Sequence, residues 1–309
     1  MELRHLRYFV AVAEEGHITR AAERLGIQQP PLSKQIKAIE RELGAQLFRR
    51  KARGVDLTAA GRVFLDDARA ILNDLSRAME TARMTARGEQ GRICIGVTPT
   101  APFHPFVPRV IRGFGEAFPQ VVLTMEEFLT SELINRLRDE RIDVAFIRNV
   151  VSNADGLTVI PLIEEPMSVA LPSTHPLARC DNGAALSFKR LARERFILYG
   201  PPGEALHDRT IAACDAAGFS PIVGQHVARI TSGLSLVAAG LGISIIPSSM
   251  QRLTMEGVAF RRLKGSVRPK AILNLASRRG DPSAVVRHFL ILVRHTARTF
   301  RTSYSASQS

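Results

Sequence analysis

The stretch HITRAAERLGIQQPPLSKQIKAIEREL, from His17 to Leu43, restricts the fold more than any other, because two helical periodicities meet there at a forced turn. Ala21, Ala22 and Leu25 recur at helical spacing after Thr19 and predict a helix from about Ile18 to Leu25. Gly26 ends it, since glycine takes the left-handed closing conformation without a steric penalty, and Ile27 plugs the turn. Pro30 and Pro31 are tolerated only in the first turn of a new helix, where the missing N–H had no partner to lose. In that second helix Leu32, Ile36, Ile39 and Leu43 share one narrow arc, while Pro30, Ser33, Lys34, Lys37 and Arg41 gather opposite. One side is core; the other is short, polar and basic. A major groove accepts such a face, with small donors near the helix N-terminus and cations along the flank. A merely solvated charged face is the plainer alternative; the glycine turn, the proline start and the flanking sequence favour duplex DNA.

Those flanks begin with MELRHLRYFVAVAEEG, where Leu3, Leu6, Phe9, Val10 and Ala13 line one side of a helix that packs behind the pair. After Leu43, GAQLFRRKARGVDLTAAG predicts short strands at Gln46–Phe48 and Val55–Leu57 around a tip of Arg49, Arg50, Lys51 and Arg53, with Gly54 at the turn. Such a tip suits phosphates or a narrow minor groove; a solvated basic loop is the alternative.

A chain of 309 residues has room for two or three domains, each with its own core. The net charge of +13 suggests a polyanionic partner, but charge does not choose among DNA, RNA and acidic membranes. No signal peptide or spanning segment is visible; the weakly polar run Leu234–Pro247 is too short and glycine-rich to cross a bilayer, so a cytoplasmic location is expected. Cys94, Cys180 and Cys214 show no CxxC or metal spacing, and buried inert thiols are expected, with a redox pair of Cys180 and Cys214 the alternative.

The N-terminal motifs ELRHLRYFVAVAEEGHITRAAERLGIQQPPLSKQIKAIERELGAQLFRR and LTAAG resemble the winged helix-turn-helix of LysR-type transcriptional regulators. The remainder of the chain fits the length and order of that family. The resemblance implies a DNA-binding domain over residues 1–58, with its helix-turn-helix at about 18–37. It places Gln29, Pro30, Ser33 and Lys34 at base- and phosphate-contacting positions and Arg53 on the wing; Pro31, Lys37 and Arg50 complete the candidate interface.

From Thr58, a natural N-cap, to Arg87 there is no proline and, after Gly61, no glycine, while Phe64, Ala68, Ile71, Leu75, Ala78 and Ala82 form a heptad seam. A helix of that length, about 45 Å, needs a partner helix to cover its seam. Packing within its own chain is one answer. The resemblance implies the other: a linker at residues 59–88 that dimerises, with dimers of dimers reading an interrupted palindrome in double-stranded operator DNA.

GEQG at 88–91 breaks the helix, and strand and helix patterns then alternate as in an α/β unit with a largely parallel sheet. A second unit starts near Leu162, and the chain returns to the first through AILNLAS from Ala271 and a helix at about 282–300. This resembles the two-lobed, type II periplasmic-binding-protein-like effector domain of the family, here residues 91–309, with lobe I at about 91–161 and 267–300 and lobe II at about 162–266. The whole is therefore expected to be an α+β multidomain protein.

Ligands of open α/β sheets bind beyond the strand carboxyl ends. Thr98, Pro99 and Thr100 follow one such end, Thr130 and Ser131 another, Arg148 a third, and Pro201, Pro202 and Gly203 lie in the other lobe. Hydroxyl donors plus one arginine suit a small carboxylate, although ordinary helix capping also explains the hydroxyls. Closer similarity points to regulators of aromatic-compound catabolism, muconate-responsive types included, in which Thr100, Thr130 and Arg148 match the effector cleft. No GxSxG, HExxH, Walker or Rossmann motif occurs, the histidines lack metal spacing, and no catalytic residue, metal or cofactor is expected. The expected function is a LysR-type regulator, an activator where it assists RNA polymerase, switched by a small-molecule inducer. A nonspecific nucleoid protein and a solute-binding protein without DNA function are the alternatives.

Overall fold

The computed structural model describes residues 1–51, 54–148, 155–179 and 185–306, except for the side chains of 301–306. Contacts divide the chain into Met1–Thr85 and Ala86–Ser309.

In the first unit, α1 (Leu3–Glu15), α2 (Ile18–Leu25) and α3 (Gln29–Leu43) are followed by the hairpin β1 (Phe48–Lys51) and β2 (Gly54–Leu57) and by the long α4 (Ala59–Arg87). Gly26 closes α2 at φ 66°, its N–H reaching the Ala22 and Glu23 carbonyls. Leu32, Ile36 and Ile39 turn inward from α3 as their spacing demands, whereas Leu43, at the helix end, is 39% exposed. Phe9 is fully buried at the centre, with its ring 5.2 Å from that of Phe48 and 4.9 Å from that of Phe64, which draws α1, the hairpin and α4 into one core.

The hairpin is pinned back onto the helices where the Val55 N–H donates to the Gly16 carbonyl at 2.9 Å. A side chain at position 54, where φ is 107°, would overlap that same carbonyl, so only glycine fits. Thr58 Oγ1 accepts from the Gly61 N–H at 2.9 Å, capping α4 in the expected place.

The second unit contains β3 (Gln90–Val97), α5 (Phe106–Ala117), β4 (Gln120–Glu127), α6 (Thr130–Arg138), β5 (Val144–Ile147), β6 (Leu157–Pro172) and α7 (Pro176–Arg179). It continues through β7 (Leu186–Ser187), β8 (Arg195–Tyr199), α8 (Ala205–Ala217), β9 (Ile222–Val227) and α9 (Ile230–Ala238). Strands β10 (Ser244–Pro247), β11 (Val258–Lys264) and β12 (Lys270–Arg278) and the helix α10 (Ala284–Ala306) complete it. The main sheet runs β4-β3-β5-β12-β6-β11-β7, with β10 also paired to β6. It is mixed rather than largely parallel: β3 is parallel to β4 and β5, but β12 returns antiparallel to both β5 and β6. The βαβ steps through α5 and α6 impose the parallel neighbours β4-β3-β5, and at the far edge β7 also lies parallel to β11.

Of the three cores that the described residues pack against this sheet, two distinguish its ends. Ile93, Phe106, Phe114, Leu162, Ile163, Leu273 and Phe289 belong to one; Met167, Val169, Phe196, Leu234, Ile246 and Ala271 belong to the other. The passage between lobes, expected near residue 162, therefore falls inside β6, between Ile163 and Met167, and inside β12, between Ala271 and Leu273.

Candidate functional site

In the first unit α3 exposes Gln29, Pro30, Pro31, Lys34, Lys37 and Arg41, with Ser33 half-buried among them. The buried Leu32, Ile36 and Ile39 hold the opposite side, so the polar arc is locked outward. Lys34, Lys37 and Arg41, with Glu40 and Gln46, border an open concavity of about 900 Å³. Glu40 serves the fold instead, because its Oε1 accepts the Leu47 and Phe48 N–H groups at 2.9 and 3.1 Å and fixes where β1 starts relative to α3. Glu14, on α1, is held below the usual carboxylate range by hydrogen bonds from Arg69 and Arg24, and it ties α4 and α2 to α1.

The basic hairpin is differentiated along its length. Arg49 Nη2 and Lys51 Nζ lie 2.6 and 3.0 Å from Asp56 Oδ2, and this hydrogen bonding, Arg49's first, lowers the Asp56 pKa to about 2. Arg50 pairs in register with Val55, is exposed and has no acidic partner among the described residues. Arg53 lies outside the described residues, as does Cys180 of the candidate redox pair. Cys214 is buried, and burial pushes its thiol pKa up to about 12, while Cys94 is half-buried and its pKa is also raised, chiefly by burial.

In the second unit the carboxyl ends of β3, β4 and β5 converge. Thr98, Thr100, Leu129, Thr130, Arg148, Tyr199, Glu204, Ala205 and Leu206 enclose a cavity of about 10 Å³, room for about one water molecule. Thr100, Thr130 and Arg148 are brought together there, and Ser131 joins them through its hydroxyl, 3.4 Å from Glu204 Oε1. Pro99 is half-buried and does not line the cavity; Pro201 and Pro202 are exposed and stand outside it. The lobe II contribution comes instead from Tyr199 and Glu204, neither of which the strand-end pattern singles out. Burial, then the charges of Glu204 and Glu127, pushes the Tyr199 phenol up to about 12, so it remains a donor.

Arg148 is 3% exposed, and burial lowers its pKa from the usual arginine value. Its Nε donates to Thr100 Oγ1 at 3.2 Å, and Nη2 meets Glu165 Oε1 at 2.8 Å. Glu165, 2% exposed on β6, also accepts the Ser249 N–H at 2.8 Å and the Ser249 hydroxyl at 3.1 Å. The buried pair thus joins the end of β5, the crossover strand and the segment after β10. His104 is buried beside it, with Nδ1 accepting the Phe106 N–H at 3.2 Å; desolvation drops its pKa to about 4 against the opposing pull of Glu165.

Two polar atoms of the cavity are buried without a partner among the described residues: Arg148 Nη1 and Thr130 Oγ1. Buried donors left unpaired are costly, and a fold that keeps two of them at one cavity keeps hydrogen-bonding capacity for a guest. Thr130 also opens α6, where the backbone N–H groups of the first turn favour an acceptor.

Comparison with known proteins then bears on both units. Residues 3–62 match the model described as bacterial regulatory helix-turn-helix protein, lysR family, and residues 86–298 match the LysR substrate binding domain. The chain is 37% identical over 293 residues to the HTH-type transcriptional regulator BudR of Raoultella terrigena, covering 94% of this chain and 99% of BudR. To the HTH-type transcriptional regulator CatR of Pseudomonas putida it is 34% identical over 300 residues, 96% and 100% of the two chains. The crystal structure of full-length CbnR complexed with its target DNA aligns with a TM-score of 0.84 at 30% identity, covering 96% of this chain and 100% of CbnR.

Proposed function

The chain belongs to the LysR family of DNA-binding transcriptional regulators, which are not enzymes, and from that premise we propose an activator governed by a small carboxylate. The observation that carries the effector reading is the pair of atoms unpartnered among the described residues, Arg148 Nη1 and Thr130 Oγ1, at one small cavity between the lobes. A carboxylate oxygen satisfies both at once, and the N-terminus of α6 favours the same charge. Among carboxylates, the aromatic and muconate-like acids are the class that the resemblance to catabolic regulators implies. The cavity, about 10 Å³, admits none of them as it stands, so entry requires the lobes to part and binding then shifts the balance between arrangements.

Gln29, Pro30, Pro31, Ser33, Lys34 and Lys37 supply the DNA face, with small groups at the helix start for base edges and lysines for phosphates. Arg50 and Arg53 extend it to the wing. On its heptad seam helix α4 leaves Ile71 46% exposed, Leu75 half-buried and Ala78 and Ala82 exposed, a stripe that a second copy of the helix covers. Two copies present two recognition helices, and pairs of dimers bend the operator toward or away from RNA polymerase. The reading places this work in the cytoplasm.

The deciding experiment is an electrophoretic shift of the purified protein on DNA upstream of its own gene, against random DNA, with and without carboxylates. Preference of at least about 10³-fold for the upstream DNA supports a specific regulator. Equal binding to both sinks it.

A further inference from the structure

Glu204 stands where a site built only for an anion has no use for it. It is 9% exposed, precedes α8, lines the cavity that holds Arg148 and Thr130, and among the described residues its carboxylate is held by one long contact from Ser131 Oγ, 3.4 Å away. The cation of Arg148 is already matched by Glu165 at 2.8 Å, both groups being buried. The lining therefore presents one cation already matched by a carboxylate and one carboxylate with no cation beside it in the lining, since Arg148 is the one cationic side chain among the described lining residues. A simple acid seated on Arg148 Nη1 and Thr130 Oγ1 brings a second anion up against Glu204 in a confined space. Like charges so placed repel unless a hydrogen lies between them.

Resting on the carboxylate reading above, we propose that the effector is a hydroxy- or amino-substituted carboxylate, with Glu204 as the residue that selects the substituent. One ligand oxygen accepts from Arg148 Nη1 and Thr130 Oγ1, and the hydroxyl or ammonium hydrogen donates to Glu204 in place of Ser131. Each atom the cavity leaves unpaired then has a partner, and the surplus charge acquires a donor. Releasing Ser131 also removes the hydrogen bond that joins α6 of one lobe to the start of α8 in the other, so the substituent is sensed at the cleft itself.

The test is calorimetry and thermal shift on the full-length protein with acids matched except for the donor: propionate, lactate and alanine, then phenylacetate and mandelate. A substituted acid is expected to bind more tightly than its unsubstituted partner by about tenfold or more, the ratio one hydrogen bond to a charged group sustains. Glu204→Gln should bring that ratio towards one and tighten the plain acid, and Glu204→Asp, which keeps the charge at shorter reach, should fall between. Melting curves without ligand establish that both variants fold, and the wild-type ratios decide the matter without them. Plain acids binding as well as substituted ones, or a ratio that a folded Glu204→Gln leaves unmoved, overturns the proposal while the carboxylate reading stands. Binding of no acid of either kind overturns both.

Discussion

Arg148 and Glu165 form an ion pair of 2.8 Å at which neither side chain is more than 3% exposed. Neither charge can leave without stranding the other, and the pair sits where β5, β6 and the segment after β10 meet. Removing one partner of a buried pair typically destabilises by about 3–5 kcal/mol, whereas replacing both with apolar groups is often near neutral. Arg148→Met and Glu165→Leu alone should each lower the melting temperature sharply, and the double variant should recover most of the loss. Additive losses in the double variant would show that the charges are not coupled.

Thr130 behaves oppositely. Its hydroxyl is buried without a partner among the described residues, so Thr130→Val removes an unmet hydrogen-bonding group and should hold or raise the melting temperature, by up to about 1–3 kcal/mol in stability. The same change should weaken effector binding. A less stable variant with undiminished effector binding would mean the hydroxyl serves the fold and not a guest.

On the DNA face, Ser33→Ala and Lys34→Ala should weaken operator binding with melting temperatures close to wild type, because neither side chain is in the core formed by Leu32, Ile36 and Ile39. For Lys34→Ala the slope of log K against log salt should fall by about one, the signature of a lost phosphate contact. Collapse of stability in either variant would place that side chain among packing residues.

Acid sensitivity follows from His104. Its pKa is lowered from 6.5 to about 4 in the folded protein, so between these values the unfolded chain binds the proton and the native one does not. Stability from this group is complete above about pH 6.5 and is lost as the pH falls towards 4, by at most about 3 kcal/mol. Replacing His104 by Gln should flatten the pH dependence of stability across that window, measured by urea denaturation at a series of pH values. A slope identical to wild type would remove His104 as its source.

Gly54→Ala should detach the hairpin, since φ is 107° there and a Cβ overlaps the Gly16 carbonyl. Expected are a lower melting temperature for the N-terminal unit and weaker DNA binding, with effector binding retained. Unchanged DNA binding would uncouple the hairpin from the interface.

What is legible in the sequence is mostly local. Gly26, Pro30 and the spacing of Leu32, Ile36 and Ile39 announce their helices because caps and periodicity act within a few residues. Thr100, Thr130 and Arg148 stand out because strand ends mark where an α/β sheet binds. Glu204 and Glu165 do not, since their roles depend on partners such as Ser131 and Ser249, 73 and 84 residues distant. A signal for Glu165 does exist: it shares strand parity with the buried Ile163, Met167 and Val169, so alternation alone aims a carboxylate at the core. Strand ends also nominate Pro201 and Pro202, but the chain turns after β8 so that Glu204 lines the cavity and the prolines face outward.

Strand β6 runs unbroken for 16 residues from one core into the other, bonded to β12 over Leu157–Pro166. The lobes consequently have no slack tether about which to swing. Any relative rotation has to flex a two-ply ribbon, whose point of irregularity is the register shift between Leu273 and Asn274. A joint of this kind is continuous hydrogen-bonded sheet, so bending of one lobe against the other is spread along the ribbon instead of being taken up at a loop.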